Sequence, residues 1–179
     1  VAQAERAFAA RRFDEAEKKY QDVLRQDEEN VYILGNLAAT QLEMNHVEAA
    51  EKSVQRALSV DPDDSFALTL LGMIKFRQDQ FDAALDALSR SAQINPENPE
   101  TQNYLGITLS QKGQRAAAEA ALRKAIKTQP NYAGAHHNLA VIYATQKPPF
   151  VELARWHYEK ARALGHAKNT DLEKLIGEK

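Results

Sequence analysis

The chain has 179 residues, enough for one compact domain or one elongated array. Lys plus Arg is 23 and Asp plus Glu is 25, a net charge of −2 that gives no bulk attraction to nucleic acid or anionic membrane. There is no cysteine, which excludes a disulfide scaffold, a Cys-type zinc site and a thiol nucleophile, while cytoplasm and periplasm both stay compatible.

Charge breaks every apolar run well short of the ~18 residues a membrane span needs, so no direct membrane insertion is expected. Thirty residues are Ala, against 7 Gly and 6 Pro, which predicts an almost wholly helical chain. The chain does not begin with Met, and no charged, then apolar, then small-residue signal pattern precedes the helical sequence. A mature form or a fragment of something longer is the expectation.

From the N-terminus, residues 1–30 read as a partial unit that begins partway through a first helix, with Ala16 and Tyr20 on a second. Residues 31–64 read as a helix capped by Asn30 and carrying Ala38, then a helix carrying Ala50, Val54 and Ala57. Residues 65–98 repeat that plan behind a cap at Asp64 or Ser65. Leu68, Leu71 and Phe76 share one stripe, and Phe81, Ala84, Leu85, Leu88 and Ala92 the next, with a break at Gln78–Gln80. Residues 99–132 start at Asn98–Pro99, a cap followed by proline at the first helical position, and place Gly106, Ala118, Leu122 and Ala125 in the same slots. In residues 133–168 the small slots Ala140 and Ala154 are 154−140=14 apart, against 50−38=12 and 84−72=12 in earlier units. The two extra residues coincide with Pro148 and Pro149, which cannot continue a helix, so the insertion belongs to the turn. A terminal helix, 169–177, is expected from Thr170-x-x-Glu173 as a capping box and Leu172, Leu175 and Ile176 as an apolar stripe.

The period behind these units is 34. Pro62, Pro96 and Pro130 keep it, as do Ala38, Gly72, Gly106 and Ala140, the series Ala16, Ala50, Ala84 and Ala118, and the bulky series Tyr20, Val54, Leu88 and Leu122. Small residues at fixed slots let two helix backbones approach closely, and a single hairpin cannot bury its apolar face alone. Leu71, Gly72, Phe76, Phe81, Ala84, Leu88, Ser91 and Pro96 together resemble the tetratricopeptide repeat (TPR), over essentially the whole chain. Glu28 in place of the repeating proline, and Arg115 in place of an aromatic, depart from its pattern.

The resemblance implies an all-α, right-handed superhelical solenoid, with 1–179 a single TPR domain and 169–177 its capping helix. It also implies a concave groove lined by first helices, whose rows are Tyr32, Gly35, Ala39 and Leu42; Phe66, Thr69, Met73 and Phe76; Glu100, Asn103, Ile107 and Ser110; and Gly134, His137, Val141 and Ala144. Leu42 and Phe76 read equally as core. Tyr32, Phe66 and Met73 would form an exposed apolar patch of the kind that marks a partner site. The residues expected to line the groove are therefore Tyr32, Asn36, Ala39, Phe66, Thr69, Met73, Asn103, Ile107, His137, Asn138 and Val141. The cationic clamp of chaperone-binding members is missing, because its leading Lys slot holds Gly35, Thr69, Asn103 and His137. Asn36 and Asn138 fill two of four rungs of an asparagine ladder that binds substrate backbone in a sugar-transferase TPR.

No phosphate-binding loop, nucleophile elbow or H-E-x-x-H is present, so no catalytic role is expected. Adjacent His136 and His137 point about 100° apart on a helix and cannot easily share one ion; no metal and no cofactor are expected. His136 falls in the slot of a packed aromatic. Residues 1–98 carry 18 acidic and 11 basic side chains, and 99–179 carry 7 and 12, so head-to-tail association of copies stays open. The function expected is a non-catalytic protein-interaction module with a protein or peptide ligand and no nucleic acid. A self-assembling scaffold and a targeting domain of a larger enzyme are the alternatives.

Overall fold

Side-chain caps mark where the first helices of three successive units and the last helix begin. In the computed structural model, which describes residues 1–177, the Asn30 side-chain oxygen accepts from the Ile33 N–H at 3.0 Å. The Asp64 carboxylate takes the Ala67 N–H at 2.7 Å, so Asp64 rather than Ser65 is the cap. Asn98 takes the N–H groups of Glu100 and Thr101 at 2.9 and 3.1 Å. Each such bond satisfies a donor that a helix start otherwise leaves unpaired, worth about 1 kcal/mol.

Among the described residues the chain is eleven helices and no strand, in two units. Unit 1, Val1–Ile94, holds α1 (Ala2–Ala9), α2 (Phe13–Leu24), α3 (Val31–Glu43), α4 (Val47–Val60), α5 (Ser65–Arg77) and α6 (Phe81–Ile94). Unit 2, from Asn95 onward, holds α7 (Pro99–Gln111), α8 (Arg115–Thr128), α9 (Ala133–Thr145), α10 (Val151–Ala163) and α11 (Thr170–Ile176). Consecutive helices pair as hairpins. Within unit 1, α2 packs on α3 and α4 on α5; within unit 2, α8 packs on α9, and α11 covers α9 and α10.

The small slots are the core of each hairpin. Ala16, Ala38, Ala50, Ala84, Ala118, Ala140 and Ala154 are fully buried, as are Tyr20, Val54, Leu88 and Leu122 of the bulky series. A Cβ added at Gly72 would lie 2.3 Å from Leu88 Cγ, and one at Gly106 would lie 2.6 Å from Leu122 Cγ. Those contacts are inside van der Waals range, so the small and bulky columns are two sides of one fit.

A further column with the same period lies in the turns, where residue types conceal it. Arg11, Asn45, Asp79 and Gly113 all adopt left-handed backbone, with φ of 56°, 60°, 57° and 74°. The next N–H reaches back in each case: Arg12 to Ala7 O, His46 to Gln41 O, Gln80 to Lys75 O and Gln114 to Leu109 O, at 2.8–2.9 Å. This is the glycine-type helix stop; the fourth position holds glycine itself, Asn45 and Asp79 are the types that tolerate it next best, and Arg11 is not. The α9–α10 turn, lengthened at Pro148 and Pro149, closes differently, with the Phe150 N–H on Tyr143 O at 3.0 Å.

Helix α11 corrects two expectations. Its cap is Asn169, which accepts from the Leu172 N–H at 3.0 Å, and not Thr170. Glu173 cannot close a capping box because its carboxylate takes the Tyr158 hydroxyl at 2.9 Å and Lys168 at 3.1 Å. Leu172 and Ile176 are buried, but Leu175 is 55% exposed, because the surface of α9 and α10 reaches only one side of so short a helix.

Candidate interaction surface

The eleven expected groove residues fall in both units and fare differently. In unit 1, Tyr32 stands 57% exposed on the first turn of α3, its hydroxyl donating to Glu5 at 2.6 Å. That acceptor stabilises the protonated phenol, and its pKa is raised. Asn36, half-buried, donates its side-chain amide to the Tyr32 carbonyl at 2.8 Å. Ala39 and Phe66 are also half-buried. Phe66 leans on Gly35, where an added Cβ would come within 2.9 Å of its ring, so the glycine in that row makes room for the aromatic.

Two expectations fail here. Thr69 is fully buried inside the α5–α6 hairpin, bonding to the Ser65 carbonyl at 2.9 Å and lying 2.8 Å from Ser91 Oγ. A hydroxyl paired with both its own helix and the next is a packing residue. Met73 is only 8% exposed, so the apolar patch reduces to Tyr32 and the free part of Phe66. The open question over Leu42 and Phe76 resolves in favour of packing. Leu42 is 2% exposed, and Phe76 sets its ring 5.5 Å from that of Phe81 across the hairpin.

In unit 2 the corresponding residues bond to one another. Asn103 is 6% exposed, and its side-chain oxygen accepts from the Asn138 amide at 2.9 Å, tying α7 to α9. His137 is half-buried and stacks on His166 at 4.1 Å with planes 11° apart. Asn169 spends its oxygen on the α11 cap, so its amide faces His137 Nε2 at 3.1 Å, and that nitrogen must be the acceptor. The ring's proton then sits on Nδ1, toward Asn138 Oδ1 at 3.4 Å. Burial first, then the neighbouring His166, pushes the His137 pKa down. Ile107 and Val141 are half-buried around a small cavity of 110 Å³.

A second histidine pair was not expected. His136 and His157 are buried with their Nδ1 atoms 3.0 Å apart. His136 Nε2 meets the Pro130 carbonyl at 3.1 Å and so carries hydrogen, which leaves His136 Nδ1 to accept from His157. Desolvation, then His136 and Arg123, pushes the His157 pKa down to about 4. The only signal in the sequence was the aromatic slot at His136; its partner lies beyond the inserted turn. Among the described residues no three His, Asp or Glu side chains converge as a metal set, and no helix is long and apolar enough to cross a membrane.

A family model described as tetratricopeptide repeat matches residues 7–74 and 75–140, more than half of the chain. No curated protein matches it in sequence. Among solved structures, MamA is similar at 25% identity over 90% of this chain and 93% of that one, with a TM-score of 0.71. TTC0263, a thermophilic TPR protein of Thermus thermophilus, is 21% identical over 99% and 95%, with a TM-score of 0.77. YrrB, described as a TPR protein with an unusual peptide-binding site, is 20% identical over 90% and 82%, with a TM-score of 0.65.

Proposed function

The chain belongs to the tetratricopeptide-repeat family, and we propose that it binds a peptide or helix of a partner protein along its first helices, without catalysing a reaction. Proteins of this family are generally non-catalytic interaction modules, and YrrB carries a peptide-binding site in the same fold. The observation that carries the reading is Tyr32. A large aromatic held upright by Glu5 and flanked by half-exposed Phe66 is a preorganised anchor of the kind that dominates binding energy. Asn36, one turn further along α3, sets its amide on the Tyr32 carbonyl and so braces the backbone that carries the anchor.

The test is a photo-crosslinking amino acid placed at position 32 and, separately, at exposed Ala116. Crosslinks to a discrete partner from position 32 alone, lost with Phe66→Ala, are the expected result. Equal crosslinking from both positions would overturn the reading. If Phe66→Ala unfolds the protein instead, by circular dichroism, Phe66 is core and leaves the site.

A second reading, association of copies, is favoured by the charge difference between 1–98 (18 acidic, 11 basic) and 99–179 (7 acidic, 12 basic). Light scattering at low and high salt tests it: a monomer mass independent of salt would sink it.

A further inference from the structure

We propose that the cleft between α2 and α4 is a second docking site, one that takes an acidic segment of a partner protein with an aromatic side chain at its centre. The cleft is open to solvent and has a volume of about 770 Å³. Its floor is Leu37 and Gln41 of α3, and its walls are Leu24 of α2 with Ala49 and Ser53 of α4.

The 34-residue register says what is missing from it. Gln41 corresponds to Tyr143, three periods on (143−41=102); with the two inserted residues, Ala49 corresponds to Leu153 and Ser53 to His157. The polar anchor is the same in both places. The Gln41 amide donates to Glu17 at 2.8 Å, and the Tyr143 hydroxyl donates to Glu119 at 2.8 Å. What differs is the filling. Between α8 and α10 the Tyr143 ring is buried, meeting Phe150 edge-on at 6.3 Å and His157 at 5.6 Å. Between α2 and α4 an amide and a hydroxyl stand in place of those two rings, so no ring covers the floor of the cleft.

The floor is prepared for an apolar guest. Ser53 donates to Gln41 Oε1 at 2.8 Å while the Gln41 amide is held by Glu17, so Gln41 is pinned and its polar atoms are already paired. A ring entering over Leu24, Leu37 and Ala49 strips no unpaired polar group of water, and burial of its surface drives entry.

The rim selects the charge. Residues 1–94 carry 17 acidic and 11 basic side chains, yet the cleft mouth holds Arg25, Lys52 and Arg56 against Glu28 and the Asp22 that pairs with Arg25. Arg56 is fixed by donating to the Glu28 carbonyl at 2.9 Å, and Arg25 is steadied by Asp22 at 3.0 Å. A local excess of positive charge on an otherwise acidic unit, left by Lys52 and Arg56, favours acidic segments and disfavours basic ones.

The test uses the full chain, labelled with ¹⁵N, and three synthetic peptides: Trp flanked on each side by three Glu, the same with Ala for Trp, and the same with Lys for Glu. Saturable shifts at the backbone amides of Ala49, Lys52 and Ser53 are expected with the first peptide. The Ala peptide should bind at least fivefold more weakly, and the Lys peptide should leave those amides unmoved. Ala49→Trp fills the cleft from its own wall and should weaken the first peptide at least tenfold; Lys52→Glu, on the exposed rim, should weaken it severalfold with unchanged helicity. Equal binding of all three peptides would overturn the proposal. So would shifts centred on Tyr32 instead of the cleft, or binding of the first peptide that Lys52→Glu leaves intact.

Discussion

Gln41 and Tyr143 hold one place in the repeat, each bonded to a carboxylate of the preceding second helix, and yet one floors an open cleft and the other closes it. The same contrast runs through the first-helix rows. Tyr32 of unit 1 faces solvent with its hydroxyl on Glu5, whereas Asn103, His137 and Asn138 of unit 2 bond among themselves and to the segment that leads into α11. A repeat therefore fixes where a side chain stands but not whether it is spent on the fold. Unit 2 uses its polar rows to hold its last helices, and unit 1 leaves its aromatic and its cleft unspent.

The largest way to break that contrast is Tyr143→Ala. Removing a fully buried ring that Glu119, Arg123, Phe150 and His157 surround should cost about 3–5 kcal/mol and open between α8 and α10 a cleft like that of unit 1. Urea unfolding followed by Trp156, the only tryptophan and a residue of α10, reads this directly. A loss below about 1 kcal/mol would mean the ring is not what fills the space.

Mild acid should act next in size, through the histidine pair of unit 2. His157 has its folded pKa depressed to about 4 from an ordinary value near 6.5, so the unfolded chain binds the proton first. Stability is then intact above pH 6.5 and is lost as pH falls from there toward 4. Between pH 7 and pH 5 the loss is about 2 kcal/mol. The geometry gives the same sign: a proton added to His136 sets its Nδ1–H against that of His157, and one added to His157, at Nε2, creates a desolvated cation near Arg123. Trp156, 4.7 Å from His157, again reports it, and a pH-independent midpoint would contradict the pairing.

A smaller change sharpens unit 1. Asp79→Gly relieves a non-glycine left-handed residue at φ 57° and should raise stability by about 0.5–1 kcal/mol, measured by hydrogen exchange of buried α5 amides. The counterpart in unit 2 is already Gly113, where Gly113→Asp should lose a similar amount. The smallest effect expected is that of Tyr32→Phe, below about 0.5 kcal/mol, because an exposed hydroxyl bond to Glu5 is exchanged for one with water. A larger loss would place Tyr32 among the packing residues and remove the anchor from the proposed site.

Much of the fold was legible because it is written in residue size. Gly72 against Leu88 and Gly106 against Leu122 are local, periodic and unforgiving, and the caps at Asn30 and Asn98 are chosen by backbone chemistry within three residues. The turn column of Arg11, Asn45, Asp79 and Gly113 was only partly legible, because four different residue types hold it and Arg11 gives no sign of the left-handed backbone that the hairpin forces. The site was read least well. Thr69 and Met73 share a helical row with Phe66, and whether a row faces solvent or the next helix turns on a rotation of tens of degrees that the pattern leaves free.

What periodicity could decide, then, was the family of architecture, the hairpin boundaries and the turn that absorbs two extra residues, since each follows from contacts a few residues apart or one period apart. Tertiary structure alone decided which polar residues are consumed. The His136–His157 pair, the Asn103–Asn138 bond and the Glu17–Gln41–Ser53 chain join residues 12 to 35 positions apart whose types carry no spacing rule. Burial makes each of those bonds obligatory, and only the packed helices determine what is buried.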